Sequence, residues 1–406
     1  MNEQLFNYEL ELEDGEPAFA CLDCFRDPWL KEIARKLVRP RQCAFCGAET
    51  EFAQTPGKIA EVIRDPLMKH YKVDWGQYPG YEMSLAKIIG LGIGSVSTEL
   101  CHSVADLLVK NDVGEEDFYF HGQDYCVNPS PFESKEDQRF WAESGWHAIS
   151  TELIHGQRFF NNKAKNFFES LIFEAIWGAK EKLDAPQAVK EIPAGSPFYR
   201  ARISKNNAEL SEIMDDPGLN LGAPPRQKAA NNRMSAAGVP LMYVSGDVNT
   251  CIAEVRPSIG DQVVVGKFTS TKVMRIFDFT VLENLEHESI SIFHPLYDNR
   301  AERRQLVKVL HGLIARPVRS TDTDYVMTQA LAECIRYSRH DFDGVAFRSV
   351  QRSGGGVNYV LFDKSSSDSM LSPTWVPEFN LEITVDSVLA HQVEGVEYRT
   401  QLMPTE

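Results

Sequence analysis

The chain has 406 residues, enough for two or three domains, and its 43% hydrophobic and 10% aromatic content excludes a disordered polymer. With 58 acidic against 42 basic residues it carries a net charge of −16, which repels phosphate backbones at long range, so nucleic-acid binding is not expected. No apolar run approaches the ~20 residues of a membrane span, and the acidic N-terminus MNEQLFNYELELEDGE lacks the parts of a signal peptide, so a soluble cytoplasmic protein with no membrane partner is expected.

Cys21-Leu-Asp-Cys24 and Cys43-Ala-Phe-Cys46 stand 18 residues apart, the spacing of a zinc ribbon or treble-clef-like knuckle. Four thiolates complete a closed tetrahedral shell, so the expected zinc is structural and Cys21, Cys24, Cys43 and Cys46 are its ligands. Between the pairs, Asp27–Val38 reads as a short amphipathic helix. So small a knuckle needs the metal for much of its folding energy. From Thr55 to Lys182 the pattern is helical: runs at 59–63, 85–91, 103–109 and 166–177 place apolar residues at i, i+3, i+4 spacing. Pro79-Gly80, Pro129 and Pro131 fall between them as connectors. A ribonuclease site of the Arg-x4-His type is missing there, since Arg158 is followed by FFNNKAK.

Leu183–Pro197 has three prolines and a glycine and reads as a linker. Beyond it come short β-type runs at 198–203, 239–244, 262–268, 273–279, 344–347 and 357–362. Helical patterns at Arg300–Ala315 and Asp324–Tyr337 interrupt them. The tail opens with the polar loop SSSDS and then alternates over Leu381–Gln401 as a strand pair. The fold class is α+β, in three parts: a zinc knuckle over 1–52, a helical domain over 53–185, and a mixed domain over 186–406. No GxGxxG follows a strand to open a helix, so a Rossmann site is not supported, and Gly354-Gly-Gly356 reads as a flexible turn.

Chemistry concentrates in Phe198–Pro257. Arg200, Arg202, Arg226, Lys228 and Arg233 form a local basic group suited to phosphates, Tyr243 is a nearby aromatic, and Glu254 is a lone carboxylate between Ala253 and Val255. Taken singly these residues have ordinary readings: Arg202 on a solvated face, Tyr243 in a core, Glu254 paired with Arg256 on the surface. Taken as an ordered set they point to a nucleotide pocket.

The segments Phe198-Tyr-Arg-Ala-Arg202, Asn232-Arg-Met-Ser-Ala-Ala-Gly238, Leu241-Met-Tyr243, Thr250-Cys-Ile-Ala-Glu254, Tyr325–Glu333, and Asp343–Ser349 leading to Asn358–Asp363 follow the order of a RES domain, which the chain resembles closely over 198–363. More loosely, the first half, with Trp146 and His155–Phe160, resembles the zinc-knuckle and HEPN-like region that precedes RES domains in one branch of that family. The resemblance implies an ADP-ribosyltransferase-like fold and a toxin-type enzyme that consumes NAD+ by breaking its nicotinamide–ribose bond. It makes Glu254 the stabiliser of the ribosyl cation, and Arg200 and Arg233 clamps on phosphate oxygens. Tyr243 would contact the nicotinamide–ribose half, Ser349 would hydrogen-bond near the nicotinamide or its ribose, and Tyr199 would wall the pocket.

This chain departs from the family pattern in two places. Asn231-Asn232 precede Arg233 where a glycine-rich turn is usual, and asparagine tolerates the positive φ such a turn uses. Ile252 stands where arginine-modifying transferases carry a first Glu, which favours water or phosphate over a protein acceptor. Transfer to a protein or nucleotide target and an inactive binding module remain the alternatives. NAD+ is the expected substrate; an antitoxin or other regulatory protein and a second copy of the chain are the partner classes open.

Overall fold

The computed structural model describes residues 18–397 apart from 76–82, 111, 129–134, 179–186, 316–322, 324, 353–354 and 366–374. The acidic N-terminus, the Pro79-Gly80, Pro129 and Pro131 connectors, most of SSSDS, part of Gly354-Gly-Gly356 and the end of the tail lie outside the described residues. The chain divides into two compact units, residues 1–138 with 289–301, and residues 139–288 with 302–406. Helices of the 53–185 stretch occur in both.

In the first unit, β1 (Ala20–Cys21), α1 (Pro28–Glu32), β2 (Arg35–Gln42) and β3 (Glu49–Gln54) build the cysteine-bearing end, with the antiparallel sheet order β1-β3-β2. The single helix expected over Asp27–Val38 is corrected to five helical residues followed by a strand. Asp27 caps α1, Oδ1 accepting from Leu30 N at 2.9 Å. Pro40 then forbids helix, and it is tolerated in β2 because that strand lies at the sheet edge with an irregular register between Lys36 and Arg41. Next come α2 (Pro56–His70), β4 (Tyr71–Val73), β5 (Met83–Ser84), α3 (Leu85–Ile93), α4 (Thr98–Leu108) and β6 (Asp124–Val127), the strands pairing as β4-β6-β5. Thr55, Ser84 and Ser97 cap the three helices, and Gly94 ends α3 at φ 63°, a left-handed position that disfavours any residue with a Cβ. Ile59, Ile63, Ile88, Leu100 and Val104 pack in one core with Cys21, Cys24, Phe25 and Leu30, so the knuckle shares its apolar interior with the helices.

The second unit opens with α5 (Lys135–His155) and α6 (Asn162–Trp177). Then follow β7 (Val189–Ile192), β8 (Pro197–Ser204), α7 (Asn207–Asp215), α8 (Pro217–Leu221), β9 (Met242–Ser245), α9 (Val248–Glu254), β10 (Gln262–Ser270) and β11 (Met274–Asp278). After α10 (Tyr297–Ala315), which enters this unit at Glu302, come α11 (Val326–Arg336), β12 (Gly344–Arg348), β13 (Val357–Leu361), β14 (Leu381–Ile383) and β15 (Leu389–Gln392). The strands form one nine-stranded sheet in the order β14-β10-β8-β9-β13-β12-β11-β7, with β15 also on β10. Only β11–β12 is parallel. Alternation along the strands sends Phe277, Val345 and Val360 to a core with α5, α6, α10 and α11, while Ile276, Ala346 and Leu361 face the opposite core with α7 and α8. The content is α+β. The presumed linker Leu183–Pro197 is corrected in part, because Val189–Ile192 is a strand pairing with β11 at the sheet edge. Among the described residues no single helix is long and apolar enough to cross a membrane.

Candidate active site and a four-cysteine site

The nine-stranded sheet is weakest between β8 and β9. β8 pairs with β10 along its whole length, yet its only pairing with β9 is Tyr199 with Ser245. Strands that diverge leave backbone groups without ladder partners, and such groups must be satisfied otherwise. Arg200 does so: its Nη1 donates to Tyr243 O at 2.7 Å, bridging the two strands. A cavity of about 510 Å³ opens there, within the size range of small-molecule sites.

Tyr199, Arg200, Arg233, Tyr243 and Glu254 all line this cavity, together with Arg256 and Arg348. Among the described residues its lining holds four arginines and a single carboxylate, in a chain of charge −16. Of the basic group read from the sequence, Arg202, Arg226 and Lys228 are not among the lining residues, and Arg226 instead lies 5.4 Å over the Trp375 ring. Burial pushes the Arg200 pKa down to about 10, with Arg202 adding to the effect, so Arg200 stays a cation at neutral pH. Burial also lowers Arg233, while Tyr325, Glu254 and Tyr243 act in the opposite sense. Among the described residues neither guanidinium is ion-paired with a carboxylate. Guanidinium groups of this kind are suited to charge-assisted hydrogen bonds with an anion.

The loop before β9 positions Arg233. Asn232 and Ser235 exchange backbone hydrogen bonds at 2.9 and 3.3 Å. From α11, Gln329 Nε2 donates to Asn231 Oδ1 at 2.6 Å, Asn232 O at 2.8 Å and Ser235 O at 3.0 Å, and Thr328 Oγ1 donates to Arg233 O. The positive φ expected of an asparagine here is not used; among the described residues the non-glycine positions with positive φ are Phe160, Arg256 and Asp341. Tyr243 Oη closes the loop from below, accepting from Met234 N at 3.2 Å and pairing with Ser235 Oγ at 3.3 Å. Burial raises its pKa, so the hydroxyl is neutral.

Glu254 ends α9. Asp247 caps the helix start, its Oδ1 accepting from Thr250 N at 2.9 Å and from Arg352 Nη1 at 2.7 Å. Arg256 leaves the helix at φ 50° and Pro257 prevents its continuation. The carboxylate is exposed to the cavity and is not paired with Arg256. Its Oε1 instead accepts from Ser349 Oγ at 2.5 Å and from Asn358 Nδ2 at 2.7 Å. Ser349, a distant residue in sequence, thus reaches the site through the carboxylate rather than as a lining group. Asn358 on β13, Tyr325, Arg256 and Gln329 were not singled out from the sequence. A polar side chain inside the apolar run Val357-Asn-Tyr-Val-Leu361 was the available signal for Asn358.

At the other end of the chain the four predicted cysteines converge, with ligand atoms all within 4.8 Å of one another. Cys21–Cys46, Cys24–Cys43 and Cys21–Cys24 sulfurs are 3.4, 3.5 and 3.7 Å apart, close to the ~3.8 Å edge of a tetrahedron with 2.3 Å Zn–S bonds. Cys21 N and Phe45 N point at Cys43 Sγ at 3.3 and 3.4 Å, donors that stabilise a thiolate. The residues fit a closed tetrahedral metal site.

No curated protein matches the chain. Residues 198–384 match the RES domain model, and that stretch contains Tyr199, Arg200, Arg233, Tyr243, Glu254 and Ser349, which supports placing this part of the chain in the RES family.

Proposed function

We propose that the cavity binds NAD+ and cleaves its nicotinamide–ribose bond. The observation that carries the reading is one carboxylate, held by two hydrogen bonds, inside a lining otherwise charged by arginines. A dinucleotide brings a pyrophosphate for Arg200 and Arg233 and a ribose for Glu254. In the reaction the anomeric carbon–nitrogen bond breaks and its electron pair leaves on the nicotinamide nitrogen, which becomes neutral and needs no strong acid. The positive charge left on the ribose is stabilised by the nearby carboxylate. Water or phosphate then bonds to the anomeric carbon; water loses a proton in doing so. Ile252, two residues before Glu254, supplies no second carboxylate to activate a protein acceptor. A growth-arresting role follows from loss of cellular NAD+. The cysteine site is read as structural zinc.

The test is incubation of the purified protein with NAD+, with and without phosphate, following nicotinamide and the ribose product. Free ADP-ribose or its 1″-phosphate is expected, and Glu254→Gln should slow the loss by about 10²–10³-fold. Label on a macromolecule would favour transfer instead. Absence of NAD+ loss, or loss indifferent to Glu254→Gln, would sink the proposal.

A further inference from the structure

Among the described residues Glu254 is the only carboxylate in the cavity lining, and both of its hydrogen bonds fall on one oxygen. Ser349 Oγ and Asn358 Nδ2 both donate to Oε1, which leaves Oε2 as the oxygen for a ligand hydroxyl. Asn358 is itself held. It stands directly opposite Ser245 across β13 and β9, and Ser245 Oγ donates to Asn358 Oδ1 at 2.7 Å. Both side chains are buried. The carboxylate contact assigns the amide orientation: turned over, the amide would press its oxygen against the Glu254 oxygen and lose that bond, and the Ser245 hydroxyl then holds the amide in place.

We infer that Asn358 is a positioning residue for Glu254, the middle of a relay Ser245–Asn358–Glu254 that fixes the carboxylate and keeps Oε2 directed to the substrate. The inference rests on the reading of Glu254 as the residue that stabilises the ribosyl cation. It extends that reading to β13 in the cavity wall, where Asn358 and its partner Ser245 belong to the lining and a buried amide is otherwise a costly choice for a central β position. Its consequence concerns chemistry more than binding, because the anionic part of the ligand is held by Arg200 and Arg233 and not by this relay.

Asn358→Asp separates this role from a purely structural one, since the two side chains have the same shape. Protonated, the new carboxyl donates to Glu254 Oε1 as the amide did; ionised, it donates nothing and sets a like charge beside Glu254. The rate of NAD+ loss by Asn358→Asp should therefore approach wild type near pH 5 and fall away from it by about tenfold or more near pH 8. Asn358→Leu should be slow at every pH. Ser245→Ala, which leaves the amide in place but frees it to turn, should lose about three- to tenfold in kcat with little change in KM. Far-UV circular dichroism checks the fold of each, and Asn358→Asp and Ser245→Ala decide the matter should Asn358→Leu fail to fold. Wild-type turnover with an Asn358→Asp profile parallel to wild type at all pH values overturns the relay alone. No NAD+ loss by the wild type overturns both the relay and the NAD+ reading.

Discussion

Among single residues, Arg200 carries the proposed anion site furthest. The arginine is half-buried in the cavity wall, donates to Tyr243 O, and has no carboxylate partner among the described residues. A partly buried cation without a counter-ion costs the fold free energy that a bound anion recovers. The pKa direction carries the sign: the unfolded chain holds this proton more tightly than the folded one. The group therefore opposes folding below about pH 10, and that opposition fades as pH rises through about 10 towards the ordinary arginine value. Arg200→Met removes the charge and the bond to Tyr243 O together. It should raise KM for NAD+ by about 10–100-fold, the worth of a charge-assisted hydrogen bond. Its effect on unfolding should stay within about 1 kcal/mol, as relief of the partly buried charge offsets the lost bond. Titration calorimetry and thermal denaturation of the same variant check both halves. A large loss of stability with affinity intact would make Arg200 a structural bridge only.

Among the elements, α11 does for Arg233 what β13 does for Glu254. Gln329 reaches three acceptors in the loop of Asn231–Ser235, so the aim of Arg233 depends on a helix almost a hundred residues away in sequence. Gln329→Ala should loosen the loop and raise KM by about three- to tenfold with a smaller change in kcat, because phosphate binding and not the carboxylate is affected. An unchanged KM in steady-state kinetics would show that the loop is rigid without Gln329. The same long-range character marks the limit of sequence reading. Strands β8, β10, β12 and β13 stand where their apolar runs place them, since β periodicity is a local signal. β7 was hidden among prolines, because an edge strand of four residues is defined by its partner β11 and not by its own composition. The start of β2, residues 35–38, falls inside the helix expected over Asp27–Val38 because apolar spacing over a few residues does not distinguish helix from strand. At the site, Arg200, Arg233, Tyr243 and Glu254 were legible as a charged and aromatic set out of keeping with its surroundings. Asn358, Gln329 and the attachment of Ser349 to Glu254 were not, for these are contacts across the sheet or between a helix and a loop.

At the scale of the whole molecule, two kinds of site are built on different physical grounds. The described residues framing the cavity belong to the second unit, and hydrogen bonds within the protein hold Arg200, Tyr243, Glu254 and Asn358 without any added ion. The cysteine site lies in the first unit, where Cys21, Cys24 and Cys43 belong to the same core as Ile59, Ile63 and Leu100. Four thiolates so close together repel one another unless a cation lies among them, so the metal would stabilise that core directly. Chelation should therefore release one zinc per chain and shift the unfolding of the first unit to lower temperature, with Cys24→Ser doing the same without a chelator. Replacement by cobalt should give the thiolate-to-metal absorption of a four-sulfur tetrahedral site. Since no lining residue of the cavity depends on the metal, NAD+ cleavage measured below that first transition should persist after zinc is removed. Loss of zinc with both unfolding and cleavage unchanged would show that the core holds without it. Cleavage that disappears together with the metal would show that the cysteine site controls the enzyme and does more than support its own fold.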